Sequence, residues 1–121
     1  MPSMTASYCA FVHPEAVGNV LFLSGSYWLA KDWQDRRPWL LPDDTGDVVG
    51  EFMKSERLLI KFHIEIGRFE VGRYMLASNR ELRDVLMLKG YQVTYKECDG
   101  GHDDIWWRDS VAGGLIALIE R

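Results

Sequence analysis

The sequence has few cysteines. Of its 121 residues only Cys9 and Cys98 are cysteine, and they lie far apart without a Cys-x-x-Cys pair. This scarcity argues against a disulfide framework and against a zinc site of closely spaced cysteines, and it favours two free thiols. The N-terminus also lacks a charged leader followed by an apolar core, so we expect a chain in the reducing cytoplasm. No metal or other cofactor is expected.

An excess of positive charge and a long apolar run are also absent. Fourteen Lys and Arg residues against eighteen Asp and Glu residues give a formal net charge of −4. We therefore expect no nucleic acid and no anionic membrane surface as partner. No apolar run approaches the roughly 20 residues that span a bilayer. Apolar residues nevertheless make up 47% of the sequence, which is ordinary for a globular protein with one modest core.

Three short segments have the pattern of buried strands. Residues 18–25 form a nearly continuous apolar run between glycines, which is typical of a strand in a parallel sheet. Residues 58–67 alternate apolar and polar side chains, which predicts one buried face and one more polar face. His63 belongs to the more polar face, where we expect a structural or solvent role. Residues 91–98 are the third predicted strand.

Helical patterns flank and separate these strands. They cover residues 4–13, about 47–57, 71–89 with a break near 78–79, and about 104–120. Gly90 is the expected C-cap of the third helix. In the last helix Gly113-Gly114 is unfavourable by itself and indicates close packing on a neighbour. An irregular loop is expected over 29–46. The alternating order predicts an α/β fold of three parallel strands with right-handed crossovers, in a single domain over residues 1–121.

Polar side chains follow each predicted strand. Ser24 and Ser26 lie at the C-terminal end of the first strand, Glu70 follows the second, and His102 stands on the Gly100-Gly101 loop after the third. Because the carboxyl ends of parallel strands meet at one edge of a sheet, these residues are expected near one another. Imidazole titrates nearest neutral pH and suits proton transfer. The pattern therefore favours a site at this edge.

Four motifs occur in order along nearly the whole chain. They are His13-Pro14-Glu15 with Gly18-Asn19-Val20; Ser24-Gly25-Ser26-Tyr27-Trp28; Gly67 with Glu70, Asn79 and Arg80; and Gly100-Gly101-His102 with Trp107-Arg108. In this order and spacing the chain resembles the C-terminal half of the enterochelin (ferric enterobactin) esterase family, within the α/β-hydrolase fold.

The resemblance implies a Ser-His-acid arrangement that cleaves esters. His102 matches the histidine of the Gly-Gly-His loop, and Glu70 best matches the acid. The acidic residues nearest in sequence stay alternatives for that role: Asp99, Asp103 and Asp104. The implied substrate is a small-molecule ester, a catecholate siderophore among the options. Its predicted contacts are Ser24, Ser26, Trp28, Trp107 and Arg108.

The serine nucleophile is the point at which the resemblance ends. The family carries it in a Gly-x-Ser-x-Gly turn, which in register falls at or before residue 1. Ser3 is the only nearby serine, and it has neither the glycines nor a preceding strand. The expected fold is therefore a partial α/β-hydrolase fold without its N-terminal half. The strand over 20–23 then has an open apolar edge, which predicts a homo-oligomer or a partner chain.

Three hypotheses for function remain open at this stage. The first is an esterase-family chain that is inactive alone because it carries histidine and acid without a nucleophile. The second is a catalytically silent remnant or binding module that self-associates. The third is an independent small hydrolase that uses Ser24 or Ser26 with His102 and Glu70.

Overall fold

A computed structural model describes residues 2–27, 46–70 and 73–120. These residues form a three-stranded parallel sheet with four helices. The elements in chain order are α1 (Pro2–Val12), β1 (Asn19–Leu23), α2 (Asp47–Lys54), β2 (Lys61–Gly67), α3 (Arg73–Leu88), β3 (Gln92–Cys98) and α4 (Asp104–Ile119). The predicted α/β class and all seven elements are confirmed. Of the loop predicted over 29–46, only Gly46 belongs to the described residues.

The strands lie side by side in the order β1-β2-β3, and both pairs are parallel. Phe62 of β2 is opposite Val20 of β1 and Val93 of β3. Each strand lies inside its predicted segment, although β2 begins three residues later than predicted. The reason is a tight turn just before it, in which the Ile60 N–H donates to the Leu58 carbonyl (3.0 Å).

One face of the sheet carries an aromatic core. The ring of Phe62 lies 5.5 Å from Phe52 and 5.3 Å from Tyr91, both edge to face, and 5.9 Å from Phe22. Edge-to-face contacts of this kind add to the hydrophobic gain from burying the rings. Helices α1, α2 and α3 supply the remaining contacts, with Val49 and Leu82 fully buried among them. This core fixes the direction of β2 and thereby the place where β2 ends.

The opposite face of the sheet is covered by α4. Gly114 makes this possible, because a Cβ there would lie 2.5 Å from Leu21 Cδ1 and 2.9 Å from His63 Cδ2. The predicted close packing is confirmed for Gly114, whereas Gly113 faces open space. Beneath the helix His63 is 6% exposed and its Nε2 lies 2.8 Å from Glu65 Oε1. The face of β2 that carries His63 is thus the more polar one, as predicted, but it is buried beneath α4, so the role of His63 is structural and not one in solvent.

Helix α3 runs without the predicted break at 78–79. The Ser78 hydroxyl donates to the Met75 carbonyl of the same helix (3.2 Å), and Asn79 Nδ2 donates to that carbonyl as well (2.8 Å). Both polar side chains thus bond inside the helix and do not end it. Gly90, with φ of 79°, follows the C-terminus as predicted, because glycine adopts this left-handed angle without strain.

Helices α1 and α4 expose apolar side chains. On α1 the apolar Tyr8 and Val12 are exposed, whereas Ser7 and Ala10 face inward. Helix α4 carries five exposed large apolar side chains, Ile105, Val111, Leu115, Ile116 and Ile119, whereas Ser110, Gly114 and Leu118 face the sheet. Among the described residues no helix is long and apolar enough to cross a membrane.

Candidate active site at the carboxyl edge of the sheet

The loops that follow β2 and β3 are joined through their main chains. The Arg68 N–H donates to the Cys98 carbonyl (2.8 Å), and the Phe69 N–H donates to the Gly100 carbonyl (3.0 Å). Gly67 allows this approach, because a Cβ at that position would overlap the Gly100 carbonyl oxygen. The loop with Glu70 is thereby held against the loop with the histidine.

His102 and Glu70 form a direct pair. The imidazole Nδ1 lies 2.8 Å from Glu70 Oε2, and the side chains are 52% and 1% exposed, respectively. An ionised carboxylate only accepts hydrogen bonds, so Nδ1 carries the proton, and in the neutral ring Nε2 is left as an acceptor. A buried acid that orients a solvent-accessible imidazole in this tautomer is the arrangement that general-base catalysis requires.

The other acids of this loop have different partners. Asp99 forms an ion pair with Arg68 Nη1, and Asp103 caps α4 by accepting from the Ile105 N–H (3.1 Å). Asp104 is exposed in the first turn of α4, where a negative charge suits the helix dipole. Glu70 is the carboxylate that contacts His102 among the described residues.

Ser24 extends the pair into a network. Its hydroxyl donates to Glu70 Oε1 and accepts a hydrogen bond from Trp107 Nε1 (3.0 Å). The residue is 5% exposed and has φ of 54°, a left-handed angle that non-glycine residues rarely adopt. Glu70 therefore lies between Ser24 and His102, so Ser24 does not occupy the position of a nucleophile beside the base.

Trp107 contacts His102 as well as Ser24. Its ring contacts the imidazole of His102 edge to face, with centroids 4.9 Å apart and an interplanar angle of 88°. The neighbouring Trp106 donates through Nε1 to the Gly101 carbonyl, which fixes the glycine loop that precedes the histidine. The start of α4 therefore positions the base as well as covering it.

Motif residues outside the pair hold the loops in place. Asn79 Nδ2 donates to the Gly25 carbonyl (2.6 Å), so α3 anchors the segment that contains Ser24. Arg80 contacts both carboxylate oxygens of Glu97 (2.7 and 2.9 Å) near the end of β3. Hydrogen bonds from Arg80 lower the pKa of Glu97 to about 2. Sequence reasoning matched Asn79 and Arg80 to the family without assigning these roles, which no local pattern reveals.

The remaining predicted site residues lie outside the hydrogen-bond network of Glu70, His102, Ser24 and Trp107 or outside the described residues. Ser26 is half-buried and Arg108 is exposed at the start of α4, while Trp28 lies outside the described residues. Ser3 is at the same edge, with its hydroxyl 3.3 Å from the Leu23 carbonyl oxygen. Within residues 2–27, 46–70 and 73–120 no serine hydroxyl bonds His102 Nε2.

Cys98 also lies at this edge, at the end of β3. Burial raises the pKa of its thiol, which donates weakly to the Ile66 carbonyl (3.6 Å). Since the thiolate is the reactive form, Cys98 is not an activated nucleophile. No group of three or more His, Cys, Asp or Glu side chains in the described part of the chain is arranged to hold a metal ion.

The sequence is similar to curated enterobactin esterases over nearly its whole length. No protein-family model matches the sequence. Iron(III) enterobactin esterase of Escherichia coli O6:H1 is 30% identical over 116 residues, which is 95% of this chain and 27% of that protein. The enzyme of the same name from Dickeya dadantii is 31% identical over 121 residues, again 27% of its length. The chain thus spans little more than a quarter of the curated relatives it matches.

Solved structures agree with the sequence matches. The enterobactin esterase of Shigella flexneri, determined in the presence of 2,3-dihydroxy-N-benzoyl-glycine, superposes with a TM-score of 0.76 at 27% identity, over 96% of this chain and 29% of that one. A ferulic acid esterase gives 0.73 at 16% identity over 98% of this chain and 47% of that one, which shows the fold alone. In sequence and fold this chain is similar to one part of the enterobactin esterases and has part of the α/β-hydrolase fold, as its motifs predict.

Proposed function

We propose that this chain carries the general base and the acid of a serine esterase, and that the nucleophile comes from outside these 121 residues. The observation that supports the proposal is the His102–Glu70 pair, in which a buried carboxylate accepts from Nδ1 of a half-exposed imidazole. On its own the chain is then inactive.

The chemistry of the pair follows from its geometry. Nε2 of His102 accepts the proton of the nucleophile's hydroxyl group while the hydroxyl oxygen forms a bond to the carbonyl carbon of the ester. The imidazolium that forms is stabilised by the buried carboxylate of Glu70. One carboxylate oxygen accepts from His102 and the other from Ser24. His102 then gives the proton to the leaving alcohol, and a water molecule repeats the cycle to release the acid.

The proposed substrate is a small-molecule ester with an aromatic acyl group, such as a catecholate siderophore. Structures of the Shigella flexneri esterase were determined with enterobactin and with 2,3-dihydroxy-N-benzoyl-serine. In this chain the exposed Arg108 lies beside Trp107 at the start of α4. A tryptophan edge and a guanidinium suit a catechol ring and its oxygen anions. Ser26 and Trp28 are the other proposed contacts.

Fragment complementation tests the proposed function. This chain is mixed with the part of the Dickeya dadantii esterase that lies outside the matched segment, and hydrolysis of a catecholate ester is followed. We expect activity in the mixture, with a loss of about 10³-fold or more when His102→Ala is used, because triad members act as a unit. His13→Ala is the matched control, since His13 is exposed and bonds Glu15 away from the site.

Three outcomes contradict parts of the proposal. Full activity of the His102→Ala mixture would remove the histidine from the mechanism. Hydrolysis of a p-nitrophenyl ester by the purified chain alone, with a serine labelled by a phosphonate and located by mass spectrometry, would show that the nucleophile is internal. A mixture that binds the ester without cleaving it would favour a binding module.

We also propose that the open edge of β1 associates with a second copy or a partner chain. Among the described residues β1 pairs only with β2. The Ser24 N–H donates to Glu65 on β2, so by strand alternation the amides of Leu21 and Leu23 face away from the sheet. Unpaired amides on an apolar strand are a template for another strand.

Leu23→Pro is expected to abolish this association. Proline removes one outward N–H and leaves the bonds to β2 intact, because the Leu23 amide does not face β2. Sedimentation velocity over a range of concentrations should show association for the parent chain and a monomer for the variant. A monomeric parent chain at high concentration is the result that would rule out association with a second copy.

A further inference from the structure

We propose that Ser24 is a positioning residue, whose buried hydroxyl, oriented by Trp107, turns the Glu70 carboxylate toward His102. This inference rests on the proposed role of the His102–Glu70 pair. It replaces the substrate contact that the sequence predicts for Ser24, and it gives Trp107 a second task beside any contact with substrate.

The direction of the Ser24 hydroxyl is fixed by its neighbours. An indole N–H can only donate, so the bond from Trp107 Nε1 (3.0 Å) occupies a lone pair on Ser24 Oγ. An ionised carboxylate can only accept, so the hydroxyl proton points to Glu70 Oε1. The chain of bonds therefore has one polarity, from Trp107 through Ser24 to Glu70.

The two oxygens of the Glu70 carboxylate accept hydrogen bonds from different donors. Oε1 accepts from Ser24, and Oε2 accepts from His102 Nδ1. The Glu70 side chain is 1% exposed, so solvent does not supply a replacement donor at either oxygen. Rotation of the carboxylate would break both bonds, and its orientation toward the imidazole is thus set by the hydroxyl on the far side.

The backbone at Ser24 gives an independent observation. Its φ of 54° makes it the only non-glycine residue with positive φ in the described part of the chain. Glycine would adopt this angle without strain, and strained positions of this kind persist where a side chain is needed. The Ser24 N–H also donates to the Glu65 carbonyl (3.0 Å), so pairing with β2 holds the strained residue in place.

The test uses the tautomer of His102 in this chain, which requires no activity. The chain is labelled with ¹⁵N-histidine, and the three histidines are assigned from His→Ala variants. In the parent chain the ¹⁵N shifts should place the proton of neutral His102 on Nδ1. Ser24→Ala leaves Oε1 buried without a donor, so Glu70 turns to another partner. Nδ1–H is then lost as the dominant form, in favour of the Nε2–H form that free imidazole side chains prefer.

Further variants separate the causes. Ser24→Gly removes the hydroxyl and also relieves the strained φ, so it should match Ser24→Ala if the hydroxyl is responsible, and it serves where Ser24→Ala fails to fold. Trp107→Phe keeps a ring but removes the N–H, and it should shift the tautomer part of the way. Ser78→Ala is the matched control, because it removes another buried hydroxyl, which donates to the Met75 carbonyl in α3. It should leave His102 unchanged.

Each outcome decides a separate point. Glu70→Ala, which removes every side-chain acceptor at position 70, is the benchmark: if it does not move the tautomer, the His102–Glu70 pair is absent in solution and the proposed function fails with it. If Glu70→Ala moves the tautomer and neither Ser24 variant does, Ser24 is not a positioning residue while the proposed function stands. In the complemented enzyme Ser24→Ala should lower kcat without raising KM. A raised KM at constant kcat would instead return Ser24 to the role of a substrate contact.

Discussion

Phe62→Ala is expected to lower the free energy of unfolding by about 3–5 kcal/mol, the range for deleting a buried aromatic ring from a core. Phe62 is 1% exposed, and its ring contacts those of Phe22, Phe52 and Tyr91. Phe22 lies in β1, Phe52 in α2 and Tyr91 just before β3. The cavity that Phe62→Ala leaves is therefore lined by several elements and cannot close by the movement of one side chain. Urea unfolding followed by tryptophan fluorescence measures the change.

Phe69→Ala is the control for this prediction. Phe69 is 70% exposed in the loop after β2, so the same chemical change should alter stability by no more than about 0.5 kcal/mol. Equal effects of the two substitutions would mean that the aromatic cluster is not the core of the fold.

Gly67→Ala is expected to cost about 1–3 kcal/mol of stability, the usual range for overpacking. It is also expected to separate the acid from the base. The added methyl group meets the carbonyl oxygen of Gly100, which is main chain and cannot move aside as a side chain can. The bond from the Phe69 N–H to the same carbonyl must lengthen or break. The ¹⁵N shifts of His102 should therefore change together with the midpoint of urea unfolding.

Gly113→Ala is the matched control for a glycine in this chain. A Cβ at Gly113 meets nothing within 4 Å, and the residue lies inside α4. Alanine there should raise stability by about 0.8–1 kcal/mol, because it is the better helix former. A Gly67→Ala variant that is as stable as the parent and keeps the His102 signals would contradict the close approach of the two loops.

The sequence was a sufficient guide where a local repeat or the chain direction determines the structure. The strand β2 was found from the alternation around Ile64, and the proximity of Glu70 to His102 was expected from the rule that parallel strands end at one edge, whereas the choice of Glu70 as the acid came from the resemblance to the family. Both predictions depend on the repeat of the strand and on chain direction, which a sequence carries locally.

Helix faces were predicted less well, for a physical reason. The helix α4 is apolar on nearly all sides, so its period does not show which side faces the sheet. The side that faces the sheet is set by how closely the helix approaches it. Ser110 and Gly114 are small enough to lie against the sheet, and Leu115 and Ile116 are turned outward. In α3 Leu88 is exposed although it shares the helical spacing of the buried Leu82 and Val85, and it is the last residue of that helix.

The role of Ser24 was beyond the reach of sequence reasoning. Its hydroxyl bonds a carboxylate 46 residues away and an indole 83 residues away. Neither separation leaves a periodic signal. A polar residue in a serine- and glycine-rich turn also has an ordinary explanation as a loop residue. The left-handed angle at Ser24, which marks the position as special, is visible only in three dimensions.

The main-chain bonds between the two site loops have a consequence for evolution. Arg68 and Phe69 take part through their amides, and Cys98 and Gly100 through their carbonyls, so side-chain identity at 68 and 69 does not enter. The side chains of Arg68 and Phe69 are exposed at the same edge of the sheet, where Arg68 pairs with the exposed Asp99. Mutational drift, or a library made at these two positions, can therefore alter what the rim of the site recognises while the spacing of acid and base is inherited unchanged.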